Sequence, residues 1–547
     1  MGKDNVIWLN SKLLLIFFFL VFFAYPLFSI IYAAAFSGGA MFDAGRLLGV
    51  ILKSRGLLWN SFSQAAVSTI FSLALGIPAA FILAKRDFPL KKALRALSLV
   101  PFVFPSVLVV LSFVIVFGNN GWLNNFLRVF FGFSEPVNFL YGFWGIILCH
   151  VFYNFPLVMR FVSEAWENTD LQMEEAARTL GAGRLSVFMN VAFPQLLPSI
   201  LASASLVFIY CFTSFAIVLS FGGVGFPTFE TEIYYQISRN LDFGLGAVLA
   251  IFQFVLLASF ASVYFLFSRM FAIRHAAFPP KAKKMRLPSF SGLLEALFLA
   301  AVFAFIALPM LSIIISAFAE PGTGHFTLRA FEKIFSQNRS LLGTTPLHSM
   351  AFSLVIASIS SLAATLFGLL ASLRQSGENF VALLLSSSAA LSVITLGFGY
   401  FLGFGSGNLF VIAIGHSVLA FPFAFRLISG ALEKIDKEAV DAARTLGATW
   451  PGVFMEIQLP RIKNALFASL AFSFAVSLGE LGFVIVLYDG IYPTMPVYIY
   501  RLISAFDLFS ATAMGLVLIS ISFICFYAIE HFSGRTDGAG TGLFQWN

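Results

Sequence analysis

The chain is a succession of apolar blocks, each long enough to cross the hydrocarbon of a bilayer. That layer is about 30 Å thick, which takes about 20 residues of helix. Six blocks occupy the first part of the sequence: Leu13–Phe36, Asn60–Leu83, Leu97–Phe117, Phe139–Phe161, Leu197–Leu219 and Gly244–Phe267. Six more follow: Leu293–Phe318, His348–Leu373, Phe380–Gly403, Leu409–Leu432, Ile462–Val486 and Ser510–Ile529. Only 11% of the residues are charged and 59% are hydrophobic. Soluble proteins carry about 25% charged residues, so these charges could not cover a water-facing surface. An all-α integral membrane protein with about 12 transmembrane helices is expected. The closest pair of spans is separated only by the turn Phe404–Asn408.

Charge orients the spans. With the amino terminus inside, the loops on the cytoplasmic side hold 24 of the 33 basic residues, the bias that fixes topology in membranes. The net charge of +7 is therefore read as topology, with no nucleic-acid partner, and both termini are expected in the cytoplasm. Tyr32-Ala33-Ala34-Ala35 resembles a signal-peptidase site, but the block before it is too long for a secretory signal. It is read as a retained first span. Cys149, Cys211 and Cys525 each lie inside an apolar block, spaced for neither a disulfide framework nor a metal cluster, and are assigned to packing.

The chain contains an internal repeat. Glu174–Pro194 (EEAARTLGAGRLSVFMNVAFP) and Val440–Pro460 (VDAARTLGATWPGVFMEIQLP) lie 266 residues apart and are identical at 11 of 21 positions. The same offset relates His150, Phe155, Pro156 and Arg160 to His416, Phe421, Pro422 and Arg426. The expected organisation is a six-span half over 1–268, with a core at about 58–267. A basic linker over 269–292 leads to a second six-span half over 293–535, with a core at about 346–530, and a tail over 536–547. An even number of spans gives both halves the same orientation, so the repeat axis runs along the membrane normal, with a pathway expected at the interface.

The most alike segments are loops outside the bilayer, each read as a helix–turn–helix elbow. Asp170 is placed to cap the first helix, and Glu174 and Glu175 lie near its positive end. Ala176 and Ala177 allow a partner's backbone to come close. Gly181 turns the chain, a second helical stretch runs through Val191, and Pro194 marks entry into the next span. Asp441, Ala442, Ala443, Gly447 and Pro460 take the same places in the second copy.

This spacing (an acid, Ala-Ala, Gly four residues on, then an aliphatic residue and Pro) resembles the EAA loop of type I ABC importer permeases. The second copy departs from the pattern in having Asp441 for Glu. The resemblance implies the type-1 transmembrane fold in a fused two-half form, in a bacterial inner membrane. It implies two ATP-binding ABC subunits docked at the two loops and a periplasmic or lipid-anchored binding protein that delivers a small solute. No GxxxxGK[ST] phosphate loop occurs in the chain, so the subunit is read as a transport component without its own ATPase site, and no cofactor, metal or catalytic residue is assigned. Gly121–Leu123, His150–Arg160, Cys211–Gly223, Glu230–Ile237, Leu478–Val484 and Met495–Arg501 resemble the fused permeases of thiamine importers. Fused iron(III) permeases share the twelve-span plan and both loops. A secondary transporter with parallel repeats is the rival class, and would need more ionisable groups inside the spans than this chain offers.

Other residues carry less. Glu480, inside the eleventh span, is the candidate pathway residue, since a carboxylate in hydrocarbon is costly; a carboxylate facing polar groups between helices is the other reading. Its first-half equivalent is Ser214. His150 and His416 are assigned to packing or an interface. Pro156 and Pro422 mark either hinges or static kinks. Glu230, Glu232, Arg239, Asp242, Asp489 and Asp507 are read as solvated charges of the outer loops, with salt bridges to a docked binding protein as the other reading.

Overall fold

The computed structural model describes residues 13–36, 49, 54–98, 101, 104–169, 171–223, 225–270, 283–284, 289–336, 344–373, 392–405, 407–491 and 493–533. In the first repeat the helices are α1 (Leu13–Phe36), α2 (Arg55–Lys85), α3 (Lys91–Leu97), α4 (Ser106–Phe117), α5 (Trp122–Phe131) and α6 (Phe143–Glu167). Then come α7 (Leu171–Thr179), α8 (Arg184–Phe212), α9 (Ala216–Phe221), α10 (Phe229–Ser238) and α11 (Phe243–Met270). The second repeat has α12 (Phe290–Phe318), α13 (Arg329–Phe335), α14 (Pro346–Ser372), α15 (Val393–Phe404) and α16 (Leu409–Glu433). It ends with α17 (Lys437–Thr445), α18 (Trp450–Gly479), α19 (Gly482–Leu487), α20 (Met495–Ser504) and α21 (Leu508–Ser533).

Among the described residues, 11 helices are long and apolar enough to cross a membrane. The protein is an all-helical, multi-pass membrane protein. The ninth expected span, Phe380–Gly403, lies partly outside the described residues, and its described part is the shorter α15. The 266-residue offset carries α6 onto α16, α7 onto α17, α9 onto α19 and α10 onto α20 without a residue of slippage. Between α4 and α6 the first repeat has the extra helix α5, where the second passes from α15 almost directly into α16.

Packing divides the chain into two compact units that do not follow chain order. One comprises Gly45–Glu232 and Phe252–Ser316; the other comprises Met1–Ala44, Ile233–Ile251 and Ala317–Asn547. The leading span of each half thus joins the helices of the opposite repeat. Hydropathy carries no label for which bundle a span enters, since lipid tails are as apolar as leucine; close-fitting surfaces decide it.

In the first unit α2, α6 and α8 pack together. A Cβ on Gly76 of α2 would lie 2.7 Å from Val158 of α6, so the helices approach closely there. A buried polar cluster joins all three. Gln64 Nε2 donates to Cys211 O at 2.6 Å, Ser68 Oγ pairs with His150 Nδ1 at 3.1 Å, and Asn154 Nδ2 reaches Cys211 Sγ at 3.4 Å. The basic end of α2 is held as well: Arg86 forks onto Glu295 of α12, and residues 86–87 pair in parallel with 283–284 as a two-residue ladder.

The second unit repeats the three-helix core with α14, α16 and α18. Thr365 Oγ1 pairs with Ser469 Oγ at 2.9 Å, and His416 Nδ1 with Ser477 Oγ at 2.7 Å. The span α1 lies against α15 and is fixed in three ways. Phe18 stacks on Phe367 with centroids 3.7 Å apart. A wide π turn at Leu20–Ala24 presents the Phe22 carbonyl to Tyr400, whose hydroxyl donates to it at 2.6 Å. Gly399 and Gly403, one turn apart on α15, admit Pro26 and Tyr25.

A Cβ at Gly399 would sit 2.7 Å from the Pro26 carbonyl oxygen, which is backbone and cannot swing away. Gly399→Val should therefore destabilise the protein by about 1–3 kcal/mol, as overpacking does, and lower its thermal midpoint in detergent. Gly430→Ala in α16, where a Cβ meets nothing within 4 Å, should hold or slightly raise the midpoint, since alanine is the better helix former.

Candidate functional site

The two elbows have the same backbone. At the end of α7, Leu180 N donates to Ala176 O, Gly181 N to Arg178 O and Ala182 N to Ala177 O, each at 3.0 Å. At the end of α17, Leu446 N donates to Ala442 O, Gly447 N to Arg444 O and Ala448 N to Ala443 O, again at 3.0 Å. The 6→1 bond is the Schellman closure, which requires a left-handed residue. Gly181 supplies it at φ 87° and Gly447 at φ 86°. Asp170 lies outside the described residues; its counterpart Asp436 caps α17, with Oδ1 accepting from Glu438 N at 2.9 Å.

Each elbow turns the same surface outward. Glu175, Ala176, Asp441 and Ala442 are exposed, and Ala177 and Ala443 are half-buried. Among the described residues, neither Glu175 nor Asp441 has an ion pair. Leu180 and Leu446 are each 89% exposed, an apolar side chain left open at the same point of both copies.

Beyond the turn the structure departs from the sequence expectation. Pro194 and Pro460 do not divide a loop helix from a span, because α8 and α18 run unbroken from elbow into bundle. Each accommodates its proline through a π turn, Phe188–Ala192 and Phe454–Gln458, just upstream. Proline lacks the N–H that would bond back along the helix, and the wider turn, with Phe193 N on Phe188 O and Leu459 N on Phe454 O, absorbs the break in register. The second arm of each elbow and its span therefore form one rod.

The far ends of these rods are interrupted at equivalent places. α8 stops at Phe212 and the chain resumes as α9 at Ala216; α18 stops at Gly479 and resumes as α19 at Gly482. Glu480 lies in the second break, half-buried. Its Oε1 accepts from Gly482 N at 2.7 Å and from Phe483 N at 3.2 Å, so the carboxylate caps the amides that the interruption exposes. Ser214 holds the equivalent place in the first repeat, and its N donates to Cys211 O at 3.2 Å.

Pro156 and Pro422 lie within continuous α6 and α16. His150 and His416 are buried, each bonded through Nδ1 to one serine. Of the loop charges, Arg239, Asp242 and Asp489 are exposed, as the sequence suggested, whereas Glu230 and Asp507 are less solvated. Glu230 is 1% exposed, and Gln253 Nε2 donates to it at 2.5 Å. Asp507 pairs with Lys333 at 2.5 Å; partial burial pushes its carboxyl up, but the bonds from Lys333 and Ser510 outweigh this and hold it below the usual range. Arg239 lies over Tyr235, 4.6 Å from the ring centre.

Sequence reasoning missed how the first elbow is held. Glu174 is buried and accepts from Lys85 at the end of α2 at 3.2 Å, with Arg178 at 3.6 Å on its other oxygen. The second copy has Val440 there, packed on Ile428, Leu432, Ile435 and Ile462. The available signal was a charged residue opposite an apolar one, Glu174 against Val440, two residues before the matched AARTLGA run.

Two fused repeats of membrane spans, each bearing one outward-facing elbow of fixed backbone, define the class: a duplicated permease core. The chain belongs to the binding-protein-dependent transport system inner membrane components, matching that family over residues 72–272 and again over 287–538. It is a two-half permease subunit of an ABC importer. It is 26% identical over 501 residues to the thiamine transport system permease protein ThiP of Salmonella typhimurium, covering 87% of this chain and 90% of that one. Against ThiP of Haemophilus influenzae the identity is 26% over 500 residues, covering 88% and 89%. A putative ferric transport system permease protein, FbpB 1 of Haemophilus influenzae, is 27% identical over 504 residues, covering 87% of this chain and 76% of its own.

A Cβ at Gly181 or Gly447 would meet nothing within 4 Å, so only the backbone conformation demands glycine there. Gly181→Ala and Gly447→Ala should each cost about 1–2 kcal/mol, felt locally. Hydrogen exchange of the closing amides, Leu180–Ala182 or Leu446–Ala448, should rise severalfold while spans distant from the altered elbow keep their protection.

Proposed function

We propose that this chain forms the translocation pathway of an ATP-driven importer that takes thiamine from an extracytoplasmic binding protein. Two separate ATPase subunits dock on its two elbows. The observation that carries the reading is the elbow pair itself. Two surfaces identical in backbone and in the AARTLGA run, each open and apolar at Leu180 or Leu446, suit two copies of one partner. Ala176, Ala177, Ala442 and Ala443 let that partner approach closely, and Glu175 and Asp441 offer it a carboxylate.

The mechanism follows from the continuity of elbow and span. When the ATPase pair closes on ATP, the sockets move together, and the rods α8 and α18 carry that movement to their interrupted ends. The pathway then opens toward the binding protein, and hydrolysis resets it. The basic-rich side, with the elbows and both termini, faces the cytoplasm. Specificity lies largely with the binding protein. The thiamine reading is supported by relatives that match along most of their length. An iron(III) solute is the second reading, favoured by the ferric permease relative of similar identity.

The permease bearing Ala176→Glu, which sets a bulky charge in the socket, should lose capture of its ATPase subunit; so should Ala442→Glu. Wild-type complex reconstituted in vesicles with its binding protein should take up labelled thiamine on addition of ATP, uncompeted by ferric ion. Uptake that ignores ATP and follows an ion gradient would overturn the importer reading, and competition by ferric ion would move the substrate to iron.

Glu480 is the candidate pathway residue, and two substitutions separate its charge from its cap. Glu480→Gln keeps an oxygen for the Gly482 and Phe483 amides but removes the charge, whereas Glu480→Ala removes both. If the charge meets a cationic solute, Glu480→Gln should weaken the apparent affinity for thiamine about tenfold, as loss of a charge-assisted contact does, with little change in thermal midpoint. Equal uptake by wild type and Glu480→Gln would leave it a cap alone.

A further inference from the structure

The cytoplasmic end of α2, Lys85-Arg86-Asp87, gathers three attachments within one compact unit. Lys85 Nζ meets Glu174 Oε1 on the first elbow at 3.2 Å. Next to it, Arg86 Nε donates to Glu295 Oε2 at 2.8 Å and Arg86 donates a second time to Oε1 at 2.6 Å, a two-point fork that fixes orientation as well as distance. Glu295 belongs to the seventh span, α12. The backbone of residues 86–87 also pairs with 283–284 of the linker.

Among the described residues, no ion pair of this kind holds the second elbow. Val440 stands where Glu174 does and packs on the apolar cluster of α16 and α18. Among the described residues, α17 has no ion pair with any span. The two elbows share the AARTLGA run and its backbone closure, and on the inward side they differ at Glu174 and Val440. Elbow α7 is tied to α2 by charge, and through the neighbouring arginine to α12. Among the described residues, elbow α17 is seated through the apolar contact of Val440. The Glu174 side chain is only 10% exposed and the Lys85 side chain 21%, which removes much of the screening that makes surface pairs weak. Loss of Glu174 takes this counter-ion from the half-shielded Lys85, and loss of Lys85 leaves Glu174 with Arg178 alone, 3.6 Å away.

We propose that Lys85–Glu174 and Arg86–Glu295 form an electrostatic junction that positions the first elbow and passes its displacement to α2 and α12, making the two elbows mechanically unequal. Glu174 is a positioning residue: it touches neither solute nor nucleotide and acts through Lys85. This rests on the reading of the elbows as ATPase sockets. Apolar packing lets the second elbow slide against its cluster, whereas the ion pairs fix a distance and a direction, so the first elbow is the stiffer transmitter.

The test uses the full permease, assembled with its ATPase subunits and binding protein in vesicles. Glu174→Gln, Lys85→Glu and the exchange Lys85→Glu/Glu174→Lys are compared by ATPase capture and by labelled thiamine taken up per ATP hydrolysed. Both single variants should capture the ATPase as wild type does, yet take up about fivefold less solute per ATP, the range expected when directly coupled groups are parted. The exchange should restore at least half of that loss, which a merely structural role would not do. Wild-type uptake per ATP in Glu174→Gln, or no recovery in an assembled exchange variant, would overturn the junction. Should Lys85→Glu fail to assemble, the near-isosteric Glu174→Gln still decides. Failure of the wild-type chain to capture any ATPase would instead sink the socket reading, and is told apart by that first measurement.

Discussion

Hydrocarbon offers no partner to a backbone amide or carbonyl, and the rest of this structure follows from that. The described spans are helical because a helix satisfies its own backbone, and at several of their interruptions a side chain meets the freed groups. Tyr400 donates to the carbonyl opened by the π turn of α1. Glu480 accepts the amides at the break after α18. Ser61 Oγ accepts from Phe229 N at the start of α10, and Ser353 Oγ accepts from Met495 N at the start of α20. Irregularity in such a bundle is costly, and it collects where the elbows meet the spans and where the spans break.

Duplication and divergence act on different surfaces. The elbow closures, the π turns, the broken ends and the serine caps recur in both repeats. So does a left-handed residue just after α10 and α20, Leu241 at φ 52° and Phe506 at φ 58°. What diverged is the side chemistry that seats these parts. Gln64, Asn154 and Cys211 fill one core with polar contacts where the other uses Thr365 and Ser469, and Val440 stands at the position matched to Glu174. A fused chain can hold two similar outer surfaces for a repeated partner while the inner attachments drift apart.

The span positions, the repeat and the elbows were legible in the sequence because each rests on a local pattern: twenty apolar residues, a fixed offset, and a glycine after Ala-Ala at the point of turning. Three features were not. Prolines 194 and 460 looked like boundaries, since proline ordinarily ends a helix, and a compensating π turn has no distinctive composition. Glu480 looked like a bare charge in a span, because nothing local told that the helix stops at Gly479 and leaves two amides to cap. Glu230 looked solvated beside other loop charges, and its burial depends on Gln253, 23 residues away.

The sequence by itself determined that this chain lives in a bilayer, is built twice over, and carries two matched elbows; these follow from hydropathy and repetition, which act residue by residue. Only the tertiary structure decided which span joins which bundle, how each elbow is seated, and what the acids within the apolar segments hold. The physical reason is that apolar helices are interchangeable to lipid. Their partners are chosen by close approach at glycines such as Gly76 and Gly399 and by hydrogen bonds and ion pairs between residues far apart in the chain, none of which has a signature in local sequence.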